Sequence, residues 1–181
     1  MGRLRFLKTA IEGVVVVETE VATDERGTFA RAYSEEEFAA AGLNTEWPEH
    51  NLSTNRRRGT LRGLHYQRAP HEEIKLVRCV AGAIYDVAVD VRPGSPTLGK
   101  HVAVELSAEN GRALYIPVGC AHGFQTLAEE STVFYLMSAT YAPAGAAGIR
   151  HDDPALGIAW PLAEKVMSAG DRALPGLSEG A

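Results

Sequence analysis

Cysteine is scarce in this chain of 181 residues, the 18 basic residues are fewer than the 23 acidic ones, and aromatic residues make up only 7% of it. The two cysteines, Cys79 and Cys120, lie far apart and form no CxxC pair, which argues against a zinc knuckle or a redox motif. We interpret both as reduced, mostly buried thiols of a cytoplasmic protein. No apolar run reaches membrane-spanning length, and residues 1–6 contain no long apolar core. We therefore expect no membrane partner.

A formal net charge of −5 argues against non-specific binding of nucleic acid, so we expect no nucleic-acid partner. The run of three arginines at 56–58 stands out against this acidic background and, taken alone, is typical of a solvated loop. The length fits one domain, and an apolar content of 45% suffices for a hydrophobic core. We find no internal repeat and no second domain.

Short runs of alternating or β-branched residues follow one another along most of the chain and are separated by turn residues. Such spacing predicts a β-sandwich or a β-barrel. One helix is predicted, with Ser34 as its N-cap, Glu37 completing a capping box and Gly42 ending it. We expect a loop from Tyr141 to Gly148, followed by an irregular tail with at most a short helix.

The stretch 58–67, with the sequence RGTLRGLHYQ, combines two arginines, two glycines and a histidine. Glycines within a strand predict a bulge or the close approach of another backbone. His65 can titrate near neutral pH, and Arg58 and Arg62 offer planar forks for an anionic group. This combination indicates proton transfer on a phosphate-bearing substrate. A basic edge strand with one surface histidine is the alternative.

A second motif, at 111–122, has the spacing G-x5-P-x-G-x2-H and resembles the second conserved motif of the cupin jelly roll. Its histidine, His122, would point into the barrel and contact a ligand, or would be a hydrogen-bonded structural residue. Metal-binding cupins add an HxH pair and a glutamate, whereas the corresponding region here offers His65 followed by Tyr66 and Gln67. Two histidines without a carboxylate would leave a divalent ion under-coordinated. We therefore expect a barrel without a metal.

Six motifs, taken in order, are similar to the signature of the dTDP-4-dehydrorhamnose 3,5-epimerase family: Asp24–Gly27, Leu61–Gln67, Lys75–Cys79, Asp86–Asp90, Ser107–Asn110 and Ala121–Phe124. The similarity runs from about Phe6 to about Asp171. It implies an all-β fold, a cupin-type jelly-roll barrel with extra N-terminal strands and a few short peripheral helices. We expect a single epimerase domain, 1–181, with a jelly-roll core at about 45–140 and an irregular C-terminal tail at 142–181.

The resemblance also implies a chemistry. The family inverts carbons that flank the ketone of a nucleotide diphosphate 4-keto-6-deoxy sugar, which requires a base and a group that stabilises the enolate oxygen. By similarity His65 is the base and Asp171 orients it, Lys75 stabilises the enolate oxygen, and Tyr135 returns a proton from the opposite face. We expect no cofactor, because the ketone already activates the proton. Without the resemblance, Tyr135 could be a packing residue and Lys75 a strand lysine that reaches solvent.

Binding residues follow from the same similarity. Arg62 is expected to contact the diphosphate together with Arg26, which the family supplies from the partner subunit, so a homodimer is expected. Phe29 and Tyr141 are aromatic candidates for contact with the nucleotide, with core packing as the alternative. The other candidates for contact with the substrate are Glu49, His50, Asn51, His122 and Arg31.

Four positions depart from the family pattern. Arg31 and Ala146 replace glutamates, Glu49 replaces a glutamine, and Gly170 replaces a lysine. Because an arginine cannot accept a hydrogen bond from thymine N3–H, we expect weaker discrimination between dTDP and CDP substrates.

Three functions remain open. The first is 3,5-epimerisation of dTDP-4-dehydro-6-deoxy-D-glucose. The second is a 3- or 5-mono-epimerase or a CDP-sugar epimerase. The third is a non-catalytic cupin that binds a nucleotide sugar, against which the four chemistry residues weigh.

Overall fold

The computed structural model describes residues 2–180, and in this part of the chain it contains thirteen strands and three short helices. Met1 and Ala181, the end residues of the expected domain, lie outside the described residues. No helix in the described part is long and apolar enough to cross a membrane. The strands are β1 (Leu4–Lys8), β2 (Val15–Thr19), β3 (Val21–Asp24), β4 (Gly27–Ala30), β5 (Glu49–Asn55), β6 (Leu61–Gln67), β7 (Lys75–Ala81), β8 (Ala83–Asp90), β9 (His101–Ser107), β10 (Ala113–Ile116), β11 (Cys120–Thr126), β12 (Ser131–Met137) and β13 (Ala146–Gly148). The helices are α1 (Glu35–Ala40), α2 (Ala169–Arg172) and α3 (Leu177–Gly180).

Two antiparallel sheets enclose the core. The six-stranded sheet has the order β1-β2-β10-β7-β12-β5, and the five-stranded sheet has the order β13-β6-β11-β8-β9. Val77 and Leu114 of the first sheet and Ile84 and Phe124 of the second belong to one cluster of buried apolar side chains. The strands β3 and β4 form a separate hairpin outside both sheets. The predicted all-β, cupin-type jelly roll with extra N-terminal strands and short peripheral helices is confirmed.

Helix α1 begins and ends where its sequence predicts. The Ser34 hydroxyl accepts a hydrogen bond from the Glu37 N–H at 3.4 Å, and Gly42 takes a φ of +70° just beyond the helix. The other contact of the predicted capping box, from the Glu37 carboxylate back to the Ser34 N–H, is wrong, however. The Glu37 carboxylate instead accepts from the Leu4 N–H at 2.8 Å and forms an ion pair with Arg31. It therefore attaches α1 to the first strand.

Strand β6 contains the predicted bulge at Gly63, whereas Gly59 lies before the strand. A Cβ at Gly63 would lie 2.6 Å from the Gly123 Cα, so no larger residue fits there without a shift of backbone. The register opposite shifts as well, since His65 pairs with His122 and Arg62 with Phe124. Residues three apart on a regular strand face opposite ways, whereas here the extra residue turns Arg62 and His65 toward one cavity.

We predicted a loop for the segment 141–148, and this prediction is wrong in part, because the segment contains the short strand β13. β13 pairs with β6 from Ala146 opposite Gln67 to Gly148 opposite His65. Its backbone groups therefore form hydrogen bonds with the edge of β6 that would otherwise be unpaired. The small side chains permit this, because a Cβ on Gly148 would lie 2.7 Å from the Leu64 carbonyl oxygen.

The tail beyond β13 covers the outer face of the five-stranded sheet. Ile149 and Leu156 are buried there against Val87 and Val89. The Leu177 N–H donates to the Asp153 carboxylate at 2.7 Å and fixes the return of the chain. A segment with little regular structure of its own therefore has a defined position.

Cys79 and Cys120 are both buried and unpaired, in the same core cluster. Burial raises the pKa of the Cys79 thiol to about 11 and that of the Cys120 thiol to about 12. Both therefore remain protonated at neutral pH and pack as small apolar side chains, as predicted.

The arginine run at 56–58 is exposed, in agreement with its interpretation as a solvated loop. Arg57 lies 3.6 Å from the Glu164 carboxylate, and the Arg58 Nε donates to the Leu127 carbonyl oxygen at 3.0 Å. This loop contacts other surface segments, and its side chains do not line the cavity described below.

Candidate active site

A cavity of about 330 Å³ opens between the two sheets. Strands β5, β6, β7, β11 and β12 contribute to its lining, and the helix α2 contributes from the tail. The cavity brings together all four residues expected to carry the chemistry and three of those expected to bind substrate: His65, Lys75, Tyr135, Asp171, Asn51, Arg62 and His122.

His65 and Asp171 form a hydrogen-bonded pair, with 2.8 Å between the His65 Nε2 and the Asp171 Oδ1. Asp171 is buried, although its sequence position in an irregular tail suggests exposure. The Ser168 hydroxyl, the N-cap of α2, accepts from the Asp171 N–H at 3.0 Å and holds this residue in place. In the neutral ring the carboxylate keeps the proton on Nε2, which leaves the lone pair on Nδ1 to accept a proton.

The pKa of His65 is lowered from its ordinary value of 6.5, mainly because burial disfavours the imidazolium form. The nearby Asp171 raises this pKa without overcoming burial, while Lys75 and His122 lower it further. His65 is therefore neutral at neutral pH, which is the form in which it can act as a base.

A pH profile of kcat/KM checks this electrostatic arrangement. If His65 is the base, its protonation abolishes that role, so activity falls as pH drops through the pKa of His65. Because that pKa is lowered, we expect the fall in kcat/KM to be centred below pH 6.5, the ordinary value for a histidine. In Asp171→Asn the residual activity should fall at a still lower pH, since the group that raises the pKa is gone. An acid limb centred above the ordinary histidine value would contradict the assignment.

Lys75 is buried, so the alternative of a strand lysine that reaches solvent is wrong. Its Nζ lies 3.0 Å from the Glu73 Oε1 and donates to the His65 carbonyl oxygen at 3.2 Å. A cation fixed in a water-poor wall stabilises a developing oxyanion far better than one in solvent. Glu73 was not identified from the sequence. Its position two residues before Lys75 could have indicated it, because residues two apart along a strand face the same side.

His122 forms a second carboxylate–imidazole pair, with 2.7 Å between its Nε2 and the Asp86 Oδ1. Both side chains are buried, and the Asp86 Oδ2 has no hydrogen-bond partner among the described residues. The His122 ring meets the Tyr135 ring edge-on, with 5.9 Å between centroids. Asp86 belongs to a family motif but was assigned no role from the sequence, because only the pairing of β8 with β11 brings it beside His122.

Tyr135 lines the cavity from β12, between Asn51 on one neighbouring strand and Val77 on the other. Burial raises the pKa of its phenol well above the ordinary value, and the charge of Asp86 raises it further. The Arg62 guanidinium acts in the opposite direction without reversing the shift. The phenol is therefore protonated over the whole physiological range and can donate a proton.

Arg62 is oriented by Asn55, whose Oδ1 accepts from the Arg62 Nε at 2.7 Å. An adjoining cavity of about 420 Å³ shares Asn51, His65 and Lys75 with the first one. It adds three positions singled out from the sequence: Glu49, Tyr141 and Ala146. Because they share these three residues, the two cavities are neighbouring parts of one site.

Four of the expected binding residues lie away from these cavities in their own chain. His50 lies next to Glu49 and Asn51 on β5 and packs edge-on against Phe134, with 5.9 Å between centroids. The other three lie in the N-terminal part: Arg26 and Phe29 on the exposed β3–β4 hairpin, where Arg26 pairs with Asp24, and Arg31 in its ion pair with Glu37.

Within residues 2–180, no three His, Cys, Asp or Glu side chains come together as a metal site. The expectation that the barrel needs no metal stays a prediction.

Comparisons with known proteins agree with this architecture. The family model described as dTDP-4-dehydrorhamnose 3,5-epimerase matches residues 8–179. The protein of that name from Methanothermobacter thermautotrophicus is 46% identical over 90% of this chain and 86% of its own length. The dTDP-4-dehydrorhamnose 3-epimerase of Streptomyces niveus is 39% identical over 93% of this chain and 82% of its own length. The solved dTDP-6-deoxy-D-glucose-3,5-epimerase of Legionella pneumophila, in complex with dTDP-4-keto-L-rhamnose, superposes with a TM-score of 0.92 at 38% identity, covering 97% of this chain and 94% of that one. The chain therefore belongs to the dTDP-4-dehydrorhamnose 3,5-epimerase family.

Proposed function

We propose that the protein inverts C3 and C5 of dTDP-4-dehydro-6-deoxy-D-glucose to give dTDP-4-dehydro-L-rhamnose. One observation carries this proposal: a neutral base and a protonated donor line the same cavity from different sheets. His65, paired with Asp171, comes from the five-stranded sheet, and Tyr135 comes from the six-stranded sheet. Inversion at a carbon requires removal of a proton from one face and its return to the other.

Each inversion then proceeds in two steps. The His65 Nδ1 removes the proton next to the ketone, and the charge that develops on the ketone oxygen is stabilised by Lys75. Tyr135 donates its phenolic proton to the opposite face of the same carbon. His65 ends with one extra proton and Tyr135 lacks one, so exchange with solvent restores both. The raised pKa of Tyr135 favours rapid recovery of that proton.

The remaining polar groups suit the diphosphate and the nucleotide. Arg62, fixed by Asn55, offers its guanidinium to phosphate oxygens. Asn51 and His122 line the same cavity and are available to contact the sugar. Tyr141 is exposed at the adjoining cavity and is available to stack on the base.

Incubation with dTDP-4-keto-6-deoxyglucose in D₂O, followed by NMR, tests the proposal. We expect deuterium at both C3 and C5 and formation of the rhamnose epimer. The 39% identity to a dTDP-4-dehydrorhamnose 3-epimerase makes a mono-epimerase the second candidate, and exchange at one carbon alone would select it. Faster turnover of the matching CDP sugar would favour a different nucleotide. Absence of exchange from both nucleotides would contradict an enzymatic function and favour a binding protein.

We further propose that the enzyme is a homodimer in the cytoplasm. The β3–β4 hairpin is exposed at every position, and Phe29 on it has 64% of its surface open. Leu52 and Val80, on the six-stranded sheet, are also apolar and exposed, at 69% and 45%. A second copy of the chain would cover such side chains, and a hairpin reaching across would bring Arg26 to the neighbour's cavity. The two unpaired cysteines fit a reducing compartment.

Complementation between inactive variants checks this assembly. If Arg26 serves the neighbour's cavity, Arg26→Ala and His65→Ala should each lose activity, whereas a dimer that contains one of each has one intact site. Co-expression should therefore restore about a quarter of the wild-type sites, as expected for random pairing of subunits. Arg26 acting within its own chain would give no restoration. Full activity of a monomer, measured by sedimentation at assay concentration, would also contradict the proposal.

A further inference from the structure

The carboxylate of Glu73 lies between two side chains of the candidate site. Its Oε1 is 3.0 Å from the Lys75 Nζ, and its Oε2 accepts a hydrogen bond from the Gln67 Nε2 at 2.9 Å. The side chains of Glu73 and Lys75 are only 7% and 8% exposed. Two opposite charges that far from solvent interact strongly, and removal of either one leaves the other without compensation.

The contacts of Lys75 leave one donor for a ligand. An ammonium group has three N–H donors. One is used on Glu73 and one on the His65 carbonyl oxygen, at 3.2 Å. The third remains for the cavity that Lys75 lines. Because two anchors fix the nitrogen, the direction of the third N–H is also fixed.

Gln67 extends the contacts of Glu73 to a third segment. Its Oε1 accepts from the Ala142 N–H at 2.7 Å, and its Nε2 also approaches the Thr140 carbonyl oxygen at 3.4 Å. Between these two backbone groups lies Tyr141, which lines the adjoining cavity. The position of the Glu73 carboxylate therefore affects both Lys75 and the segment that carries Tyr141.

We propose that Glu73 is a positioning residue that aims the free N–H of Lys75 at the ketone oxygen of the substrate and, through Gln67, secures the segment 140–142 beside the nucleotide. The inference rests on the proposed function, in which Lys75 stabilises the enolate. Glu73 does not touch the reacting atoms. Its effect on the reaction passes through the ammonium group.

Glu73→Gln tests the first part, because the amide keeps the volume and an acceptor for Gln67 and removes only the charge. We expect kcat to fall about 10- to 100-fold, the range that follows from a displaced catalytic group, with KM changed less than about threefold. Deuterium exchange and epimerisation should fall together, since both need the enolate. The matched control is Glu72→Gln, the same substitution at the exposed neighbouring position, which should keep wild-type kinetics.

A double-mutant cycle separates positioning from a general structural role. In a Lys75→Met background, Glu73→Gln should cause no further loss of exchange, because the group it positions is absent. An equal loss in both backgrounds would overturn the proposal, as would wild-type kinetics in Glu73→Gln. If the single variant does not fold, as judged by circular dichroism, Glu73→Asp supplies the comparison, with a shorter carboxylate and the charge retained. A wild-type enzyme that catalyses no exchange would instead refute the proposed function.

Gln67→Leu tests the second part, since it removes the hydrogen bonds to 140–142 and leaves the ion pair of Glu73 with Lys75. We expect KM to rise several-fold with kcat little changed, the reverse of the Glu73→Gln pattern. A fall in kcat alone would show that Gln67 does not act on nucleotide binding.

Discussion

His65→Ala should lower solvent exchange and epimerisation together by roughly 10²–10⁴-fold, the usual contribution of a general base. This corresponds to about 3–5 kcal/mol of lost transition-state stabilisation. The two activities fall together because both begin with the same removal of a proton, which the proposed mechanism assigns to His65 in its pair with Asp171. NMR in D₂O measures both activities in one sample.

His101→Ala is the matched control for that variant. His101 lies on β9, at the far edge of the five-stranded sheet, and its Nδ1 lies 3.0 Å from the Leu156 carbonyl oxygen. Loss of this histidine should leave the rate within about twofold of wild type, apart from a small cost in stability. A His65→Ala enzyme that still exchanges deuterium at the wild-type rate would exclude His65 as the base.

Tyr135→Phe should separate exchange from epimerisation. The aromatic ring remains, and only the hydroxyl that we propose as the proton donor is lost. His65 can still form the enolate and deliver solvent deuterium to the face from which the proton came. We therefore expect exchange within about tenfold of wild type while inversion falls by roughly 10²–10⁴-fold. The product-to-exchange ratio is the measurement.

Tyr115→Phe provides the control for removal of a phenolic hydroxyl. Tyr115 lies on β10 of the same sheet, is buried, and accepts a hydrogen bond from the Asn44 N–H at 3.1 Å, outside the cavity. This variant should lose some stability and keep the wild-type ratio of product to exchange. Inversion by Tyr135→Phe at near the wild-type rate would assign the second proton transfer to another group.

Features that depend on neighbouring residues in the sequence could be predicted. Ser34 and Gly42 mark the two ends of α1 because caps act within one turn. The bulge at Gly63 could be predicted for a similar reason. Another backbone approaches closely only where a residue has no side chain, and the glycine is visible in the sequence. The membership of the cavity followed largely from family motifs.

Features that depend on which strands pair could not be predicted. Asp86 belongs to one of the six family motifs, but it meets His122 only because β8 and β11 are neighbours, and the motif alone does not indicate that contact. Asp171 is buried because the tail packs back against the five-stranded sheet, where its partner His65 lies more than a hundred residues earlier in the sequence. The ion pair of Arg31 with Glu37 was not predicted, because Glu37 was assigned to a local capping box. Its carboxylate instead binds the Leu4 N–H of the first strand and Arg31.

The proposed base and donor belong to different sheets, and buried apolar side chains hold those sheets apart. Val77 pairs directly with Tyr135 and belongs to the same apolar cluster as Phe124, which follows His122 on the facing sheet by two residues. Stacked sheets are separated by about 10 Å, and this separation is set by the bulk of the side chains between them. The volume of the hydrophobic core thus sets the gap across which a sugar ring must receive its proton. A core residue such as Val77, which does not line the cavity, therefore contributes to the geometry of the reaction.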